Sequence, residues 1–304
     1  MLRRILLASA GAMALSGAAV AADLGARPPP PVFLPPPPVF TWTGPYAGLN
    51  AGYTWGASNS VNTVTGDAFG NPDLVGGTDF SETSAALATG SVPVQNNGFI
   101  GGGQFGYNYQ FGNSWVAGLE ADFQGLATGN GTNSVFSQGT VSAFPGNPID
   151  SALSSSRSLN WLGTVRGRLG FTITPTLLVY GTGGLAYGGA NTSTNVTQFV
   201  ENAVFLPNSY SSFGSFSHAL AGWTAGGGLE WLFYPNWSLK VEYLYYDLGR
   251  VTYGLGPLLN VNSGGVPFTG GAPFSSTRFN GNIVRAGLNY HFNLWGPAPV
   301  VAKY

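Results

Sequence analysis

From residue 45 onward, apolar and small polar residues alternate with period two in eight separate blocks. Alternation of that period makes strands with one apolar face, whereas an amphipathic helix would repeat every 3.6 residues. The blocks are Tyr46–Gly56, Gly98–Phe111, Trp115–Gln124, Leu159–Phe171, Leu177–Gly189, Ala219–Phe233, Trp237–Asp247 and Phe279–Phe292. In the first, Ala47, Leu49, Ala51, Tyr53 and Trp55 share one face. In the last, Val284, Ala286, Leu288, Tyr290 and Phe292 do so. A tilted strand needs roughly 9 to 11 residues to cross hydrocarbon, and every block is long enough.

The connections alternate in length. Turns at 112–114, 172–176 and 234–236 separate long connections at 57–96, 127–157, 190–217 and 249–277. Short turns on one side and long loops on the other, with an even strand count, are the arrangement of a transmembrane β-barrel of the bacterial outer membrane. The expected fold is therefore all-β: an eight-stranded antiparallel up-and-down barrel with short periplasmic turns and long extracellular loops. A soluble lipocalin-like barrel would invert the faces and need a charged exterior of roughly 25 to 35%. Only 8% of the 304 residues are charged, which argues against it. Tryptophan placement agrees with the membrane reading. Trp55, Trp161 and Trp223 fall towards the long-loop rim, and Trp115, Trp231 and Trp237 at the short-turn rim, forming two aromatic girdles.

Export is written at the N-terminus. Arg3-Arg4, an apolar stretch from Ile5 to about Ala19 and the small residues Ala19-Val20-Ala21-Ala22 read as a signal peptide over 1–21, cleaved after Ala21 or Ala22. Residues 22–41 hold two runs of four prolines and read as a semi-rigid periplasmic linker; 42–292 is the barrel and 293–304 a periplasmic tail. The net charge of −1 opposes nucleic-acid binding. With no cysteine, disulfides and thiol chemistry are excluded, and the two histidines, His218 and His291, are assigned to opposite ends of the barrel. Gly101–Gly106 matches G-x-G-x-x-G, but inside an alternating strand it cannot form the strand-to-helix turn that holds a dinucleotide. The first long loop carries Asp67, Asp73, Asp79 and Glu82 without a cation, either a solvated loop or a site for divalent-cation bridging to lipopolysaccharide.

The polar faces carry eight charges: Glu120, Asp122, Glu230 and Glu242 against Arg166, Arg168, Lys240 and Arg285. Three-residue turns at 112–114 and 234–236 set Glu120 opposite Gly106, Asp122 opposite Gln104 and Glu230 opposite Lys240. A five-residue turn at 172–176 sets Arg168 opposite Tyr180 and Arg166 opposite Thr182. An eight-stranded lumen is narrow enough for side chains to fill, so these groups are expected to form a salt-bridged plug, with Glu230 paired to Lys240. The competing readings are a narrow ion path and, least favoured, acid–base catalysis by the carboxylates.

Trp42-Thr43-Gly44-Pro45-Tyr46-Ala47-Gly48 and the closing run Asn282-Ile283-Val284-Arg285-Ala286-Gly287-Leu288-Asn289-Tyr290-His291-Phe292 resemble the ends of the small outer-membrane β-barrel proteins of alphaproteobacteria, relatives of the OmpA transmembrane domain. The resemblance spans about 42–292. It implies a monomeric, immunogenic, porin-like barrel integral to the Gram-negative outer membrane, in a family some of whose members are credited with hemin binding or adhesion. The expected role is structural, supporting envelope integrity, with a weak solute channel or a hemin-binding or adhesive surface protein as the alternatives. The expected partners are outer-membrane lipid, lipopolysaccharide and the barrel assembly machinery. Neither an enzymatic activity nor a cofactor is expected.

Alternation ends at Phe292, beyond which Pro297 and Pro299 cannot donate to a ladder. Phe292, with Tyr290 on the same face, is thus expected to be the assembly signal. Deleting 293–304 should leave outer-membrane insertion nearly normal, as measured by membrane fractionation, while Phe292→Asp should block it.

Overall fold

The structure, a computed structural model, describes residues 40–66, 77–129, 131–141, 144–201, 209–261 and 267–292. The expected signal peptide, the expected linker up to residue 39, the expected tail 293–304 and the acidic residues Asp67 and Asp73 lie outside these. Among the described residues thirteen strands and one helix follow in chain order: β1 (Gly44–Gly56), β2 (Ser60–Gly66), α1 (Gly77–Leu87), β3 (Gly90–Pro93), β4 (Gly98–Phe111), β5 (Trp115–Thr128), β6 (Gly131–Val141), β7 (Phe144–Thr174), β8 (Leu177–Val200), β9 (Ser209–Tyr234), β10 (Trp237–Gly254), β11 (Leu259–Val261), β12 (Pro267–Thr269) and β13 (Ala272–His291).

Eight of these close a ring. β1 pairs with β4, and the chain of pairs runs on through β5, β7, β8, β9, β10 and β13 back to β1, antiparallel throughout. Closure leaves no unpaired edge in the ring, which is the condition for backbone amides to sit in hydrocarbon. The outward faces carry the apolar set that alternation assigns to lipid: Leu49, Phe105, Leu119, Leu169, Leu229 and Leu288 are all exposed. The two rims are aromatic. Trp115 packs on Phe171 and Trp237 on Tyr290 at the short-turn rim, and Trp161 lies between Phe123 and Tyr187 at the other. Trp55, Trp223 and Trp231 are also exposed on the outside.

The long connections are not loops in the main. β7, β8 and β9 continue well past the upper tryptophans, and β6 pairs along β7, while β2 extends β13 and β3 extends β2. A strand-built head therefore stands on the barrel. An apolar cluster lies inside it, with Val61, Val92, Leu153, Val196, Tyr210 and Leu258 all buried. Residues of α1 spaced by four, Phe80 and Ser84, and Ala88 just beyond it face this core. Gln198 Nε2 donates to the Ser84 carbonyl at 2.7 Å, pinning the helix to β8. Inward positions here mix serine, threonine and valine, so their alternation is weak, which is why this region reads as loop in the sequence.

Two registers differ from expectation. The turn after β7 is the two residues Pro175-Thr176, and the ladder shifts between Thr172 and Thr174. Arg168 therefore faces Thr182 and Arg166 faces Gly184, two places from the positions a five-residue turn dictates. A second shift between Leu159 and Leu162 turns Leu159 inward, where it is buried, while Trp161 faces out.

Candidate functional site

The lumen is built from the short-turn end upward in layers. At the bottom Trp42, just before β1, folds into the mouth of the ring. Its backbone N–H donates to Gln110 Oε1 at 2.9 Å and its indole N–H to the Pro175 carbonyl at 3.2 Å. Phe40 and His291 close edge-on against its ring, and Leu178, Leu232 and Val116 complete an apolar floor.

Above the floor lies the charged layer, and all eight sequence-assigned charges are in it, each at most 4% exposed. Glu230 is held by Arg168 Nη2 at 2.6 Å, by Ser238 Oγ at 2.6 Å and by Asn289 Nδ2 at 2.8 Å. Arg168 stacks over the Tyr180 ring at 4.1 Å and donates to Tyr46 Oη at 2.9 Å; Tyr46 in turn donates to Glu120 Oε2 at 2.6 Å. Lys240 Nζ sits 2.7 and 2.8 Å from the two oxygens of Glu120. Arg166 binds Glu120, reaches Glu242 at 2.8 Å and reaches Asp122 at 3.0 Å. Arg285 ties Glu242 at 2.6 Å to Asp122 at 2.8 Å. Thr164 Oγ1 and Gln124 Nε2 donate the remaining bonds to Asp122.

The registers expected across the turns at 112–114 and 234–236 hold. Glu120 faces Gly106, Asp122 faces Gln104 and Lys240 faces Glu230. The ion pair expected between Lys240 and Glu230 does not form. Lys240 instead reaches across the lumen to Glu120 on β5, and Glu230 takes Arg168 from β7. Direct opposition on a ladder fixes backbones, while in a narrow ring long side chains meet partners from strands on the far side. Two glycines make room for this. A Cβ at Gly106 would lie 2.4 Å from the Tyr46 ring, and one at Gly228 2.8 Å from Tyr180 Oη. Tyr46, Tyr180, Ser238, Asn289 and His291 were missed as members of the network. Their inward parity is the only signal that could have found them.

A second apolar layer caps the charges: Ile100, Leu162, Leu244, Tyr246, Phe279 and Ile283 are buried together. Above it, Arg157 of β7 is buried without a carboxylate. It lies 4.7 Å over the Phe279 ring and donates to the Ser58 carbonyl, and burial pulls its guanidinium below the usual value. This residue falls within what the sequence reads as a loop.

Two opposed charge sets, each bonded several times and sealed above and below, fill space; they do not present a nucleophile to solvent. Gly101–Gly106 lies within β4, with no helix following, so it forms no phosphate cradle. Among the described residues, no cluster of histidine and carboxylates has metal-binding geometry.

Comparison with known proteins places the chain. Residues 6–292 match the outer membrane protein beta-barrel domain family. The 31 kDa outer-membrane immunogenic protein of Brucella melitensis is 35% identical over 292 residues, 96% of this chain and the whole of the relative. A 22 kDa outer membrane protein of Rhizobium leguminosarum is 31% identical over 156 residues, covering 51% of this chain and 56% of the relative. Among solved structures, OprG of Pseudomonas aeruginosa aligns with 82% of this chain and 97% of its own, at 10% identity and a TM-score of 0.36. The chain belongs to the outer membrane β-barrel family and resides in the Gram-negative outer membrane.

The cross-lumen pairing is testable in refolding titrations with urea. Lys240→Met should destabilise the barrel by roughly 3 to 5 kcal/mol, because it leaves buried carboxylates uncompensated. In double-mutant cycles Lys240 should couple more strongly to Glu120 than to Glu230, by about 1 kcal/mol or more. Stronger coupling to Glu230 would contradict the observed partners.

Proposed function

We propose that this member of the outer membrane β-barrel family is a sealed structural element that supports envelope integrity and presents a folded head outside, acting as neither channel nor enzyme. One observation carries the reading. The lumen is filled by an apolar floor, a charge-neutral layer whose eight charged residues are at most 4% exposed, and an apolar cap. An ion crossing it would have to break several buried charge-assisted bonds, each roughly twice as strong as a neutral one. Within the charged layer itself, four carboxylates balance four cations and leave no surplus of one sign to draw a counter-ion.

The head supports a second role, contact at the cell surface. Its outer face exposes Phe136 at 78%, Phe213 at 62% and Phe199 at 49%, apolar surface of the kind that marks interaction sites. The Brucella relative is named for its immunogenicity, which accords with a head displayed at the surface. Adhesion through the head is compatible with a sealed lumen; solute passage is not.

Planar bilayers test the reading. The purified barrel should insert without a steady open level, and Arg166→Ala, which removes three of the ion pairs, should produce conductance or leakiness that the native chain lacks. A steady open level in the native protein would overturn the proposal.

A further inference from the structure

Five of the seven lysines and arginines among the described residues are inside. Arg157, Arg166, Arg168, Lys240 and Arg285 are buried, and the two exposed cations among the described residues are Arg250 and Arg278. These two are direct partners on the β10–β13 ladder. Like charges placed directly opposite on an antiparallel pair destabilise it, so the arrangement calls for an anion.

The local backbone builds the pair on purpose-made geometry. The ladder shifts between Asp247 and Arg250, and Gly249 in the bulge has a φ of +91°, a conformation that favours glycine. Asp247 Oδ1 accepts from the Gly249 N–H at 2.9 Å and from Arg278 Nε at 3.2 Å, and Arg278 Nη2 also binds the Asp247 carboxylate. One buried carboxylate thus holds the bulge and orients Arg278, whose side chain stays 48% exposed. Arg250 makes no ion pair among the described residues; the one carboxylate, Asp247, is bonded to Arg278 alone, so a positive charge is left over.

Height selects the ligand. Trp237 marks the periplasmic girdle and Tyr245 the outer one, eight residues on: about 26 Å along the strand at ~3.3 Å per residue and about 20 Å along the membrane normal at the usual tilt. Tyr243 Oη donates to Asn282 Oδ1 at 2.7 Å and Asn280 Nδ2 to Tyr245 Oη at 3.1 Å, so the outer girdle is polar at its upper edge. Arg278 lies twelve residues along β13 from Tyr290, the partner of Trp237, so the arginine pair stands about 30 Å up the membrane normal at the same rise and tilt, just above the roughly 25 Å apolar band, with Thr252 and Ser276 the next pair on the same face. An anion at that level of the outer leaflet is the phosphate of a membrane glycolipid, and guanidinium groups suit phosphate because their donors match its oxygens in pairs.

We propose that Arg250 and Arg278 form a binding site for the phosphate of an outer-leaflet phosphorylated glycolipid of the lipid A class, with Asp247 as the positioning residue. This goes beyond the sealed-lumen reading and does not depend on it. The test uses the full mature chain refolded in uncharged detergent micelles, with thermal unfolding followed during titration of lipid A, dephosphorylated lipid A or inorganic phosphate. Phosphorylated lipid A should raise the unfolding temperature of the native protein, and the titration midpoint should rise by roughly tenfold or more in the Arg250→Gln/Arg278→Gln variant. Arg250→Gln alone, which removes no ion pair of the fold, should shift it in the same direction. Asp247→Asn, which loosens the bulge and the orientation of Arg278, should raise the midpoint in the same direction, and an unchanged midpoint would remove Asp247 from the positioning role. Equal binding by native and double variant, equal stabilisation by dephosphorylated lipid A, or inorganic phosphate acting at the same concentration would overturn the assignment.

Discussion

A ring of eight strands encloses a space that side chains must fill, and in this barrel the filling is charged. Four carboxylates and four cations are taken out of water together, and each is tolerable only while its partners stay in place. The rest of the ring follows from that requirement. Glycine stands at 106 and 228 because Tyr46 and Tyr180 need the room to reach Glu120 and Glu242. Ser238 and Asn289 face inward because Glu230 has lone pairs beyond those Arg168 satisfies. The apolar layers above and below exclude the water that would otherwise weaken every pair.

The same inward parity persists into the head with different chemistry. Above Arg157 the inner faces turn to valine, leucine and hydroxyl residues, and α1 closes them over. Below the upper girdle the outside is hydrocarbon, so inward polarity marks the lumen. Above it the outside is water, so the head folds like a small soluble domain with its apolar side in. One strand, β7, carries both regimes. Its Arg166 and Arg168 belong to the lumen network, and its Leu153 and Ile149 to the head core.

The membrane strands were legible because lipid imposes a strict period of two on one face, as at Leu239, Val241 and Tyr243 of β10. The eight lumen charges were legible for the complementary reason: a charge on an alternating strand has only the inside to go to. Pairing was legible only as far as backbone register. Lys240 was correctly placed opposite Glu230, yet its partner is Glu120, a residue 120 positions away whose nearness depends on ring closure. Arg166 and Arg168 sit two places from their expected partners because the turn is only Pro175-Thr176, worth three places, and the ladder shift between Thr172 and Thr174 takes one back; nothing in Thr172-Ile173-Thr174-Pro175-Thr176 announces either. The head was missed because Ser151, Ser155 and Thr194 are buried through hydroxyl contacts, which hydrophobic patterning does not register.

The central claim is that the lumen charges are dry and mutually bonded. Side-chain hydrogen exchange reads this directly. In the refolded barrel at neutral pH, the guanidinium N–H signals of Arg166 and Arg285 should be resolved by NMR and exchange with solvent deuterium far more slowly than those of exposed Arg278. Exchange of Arg166 and Arg285 at the rate of Arg278 would mean that water threads the lumen, and the sealed barrel would have to be abandoned.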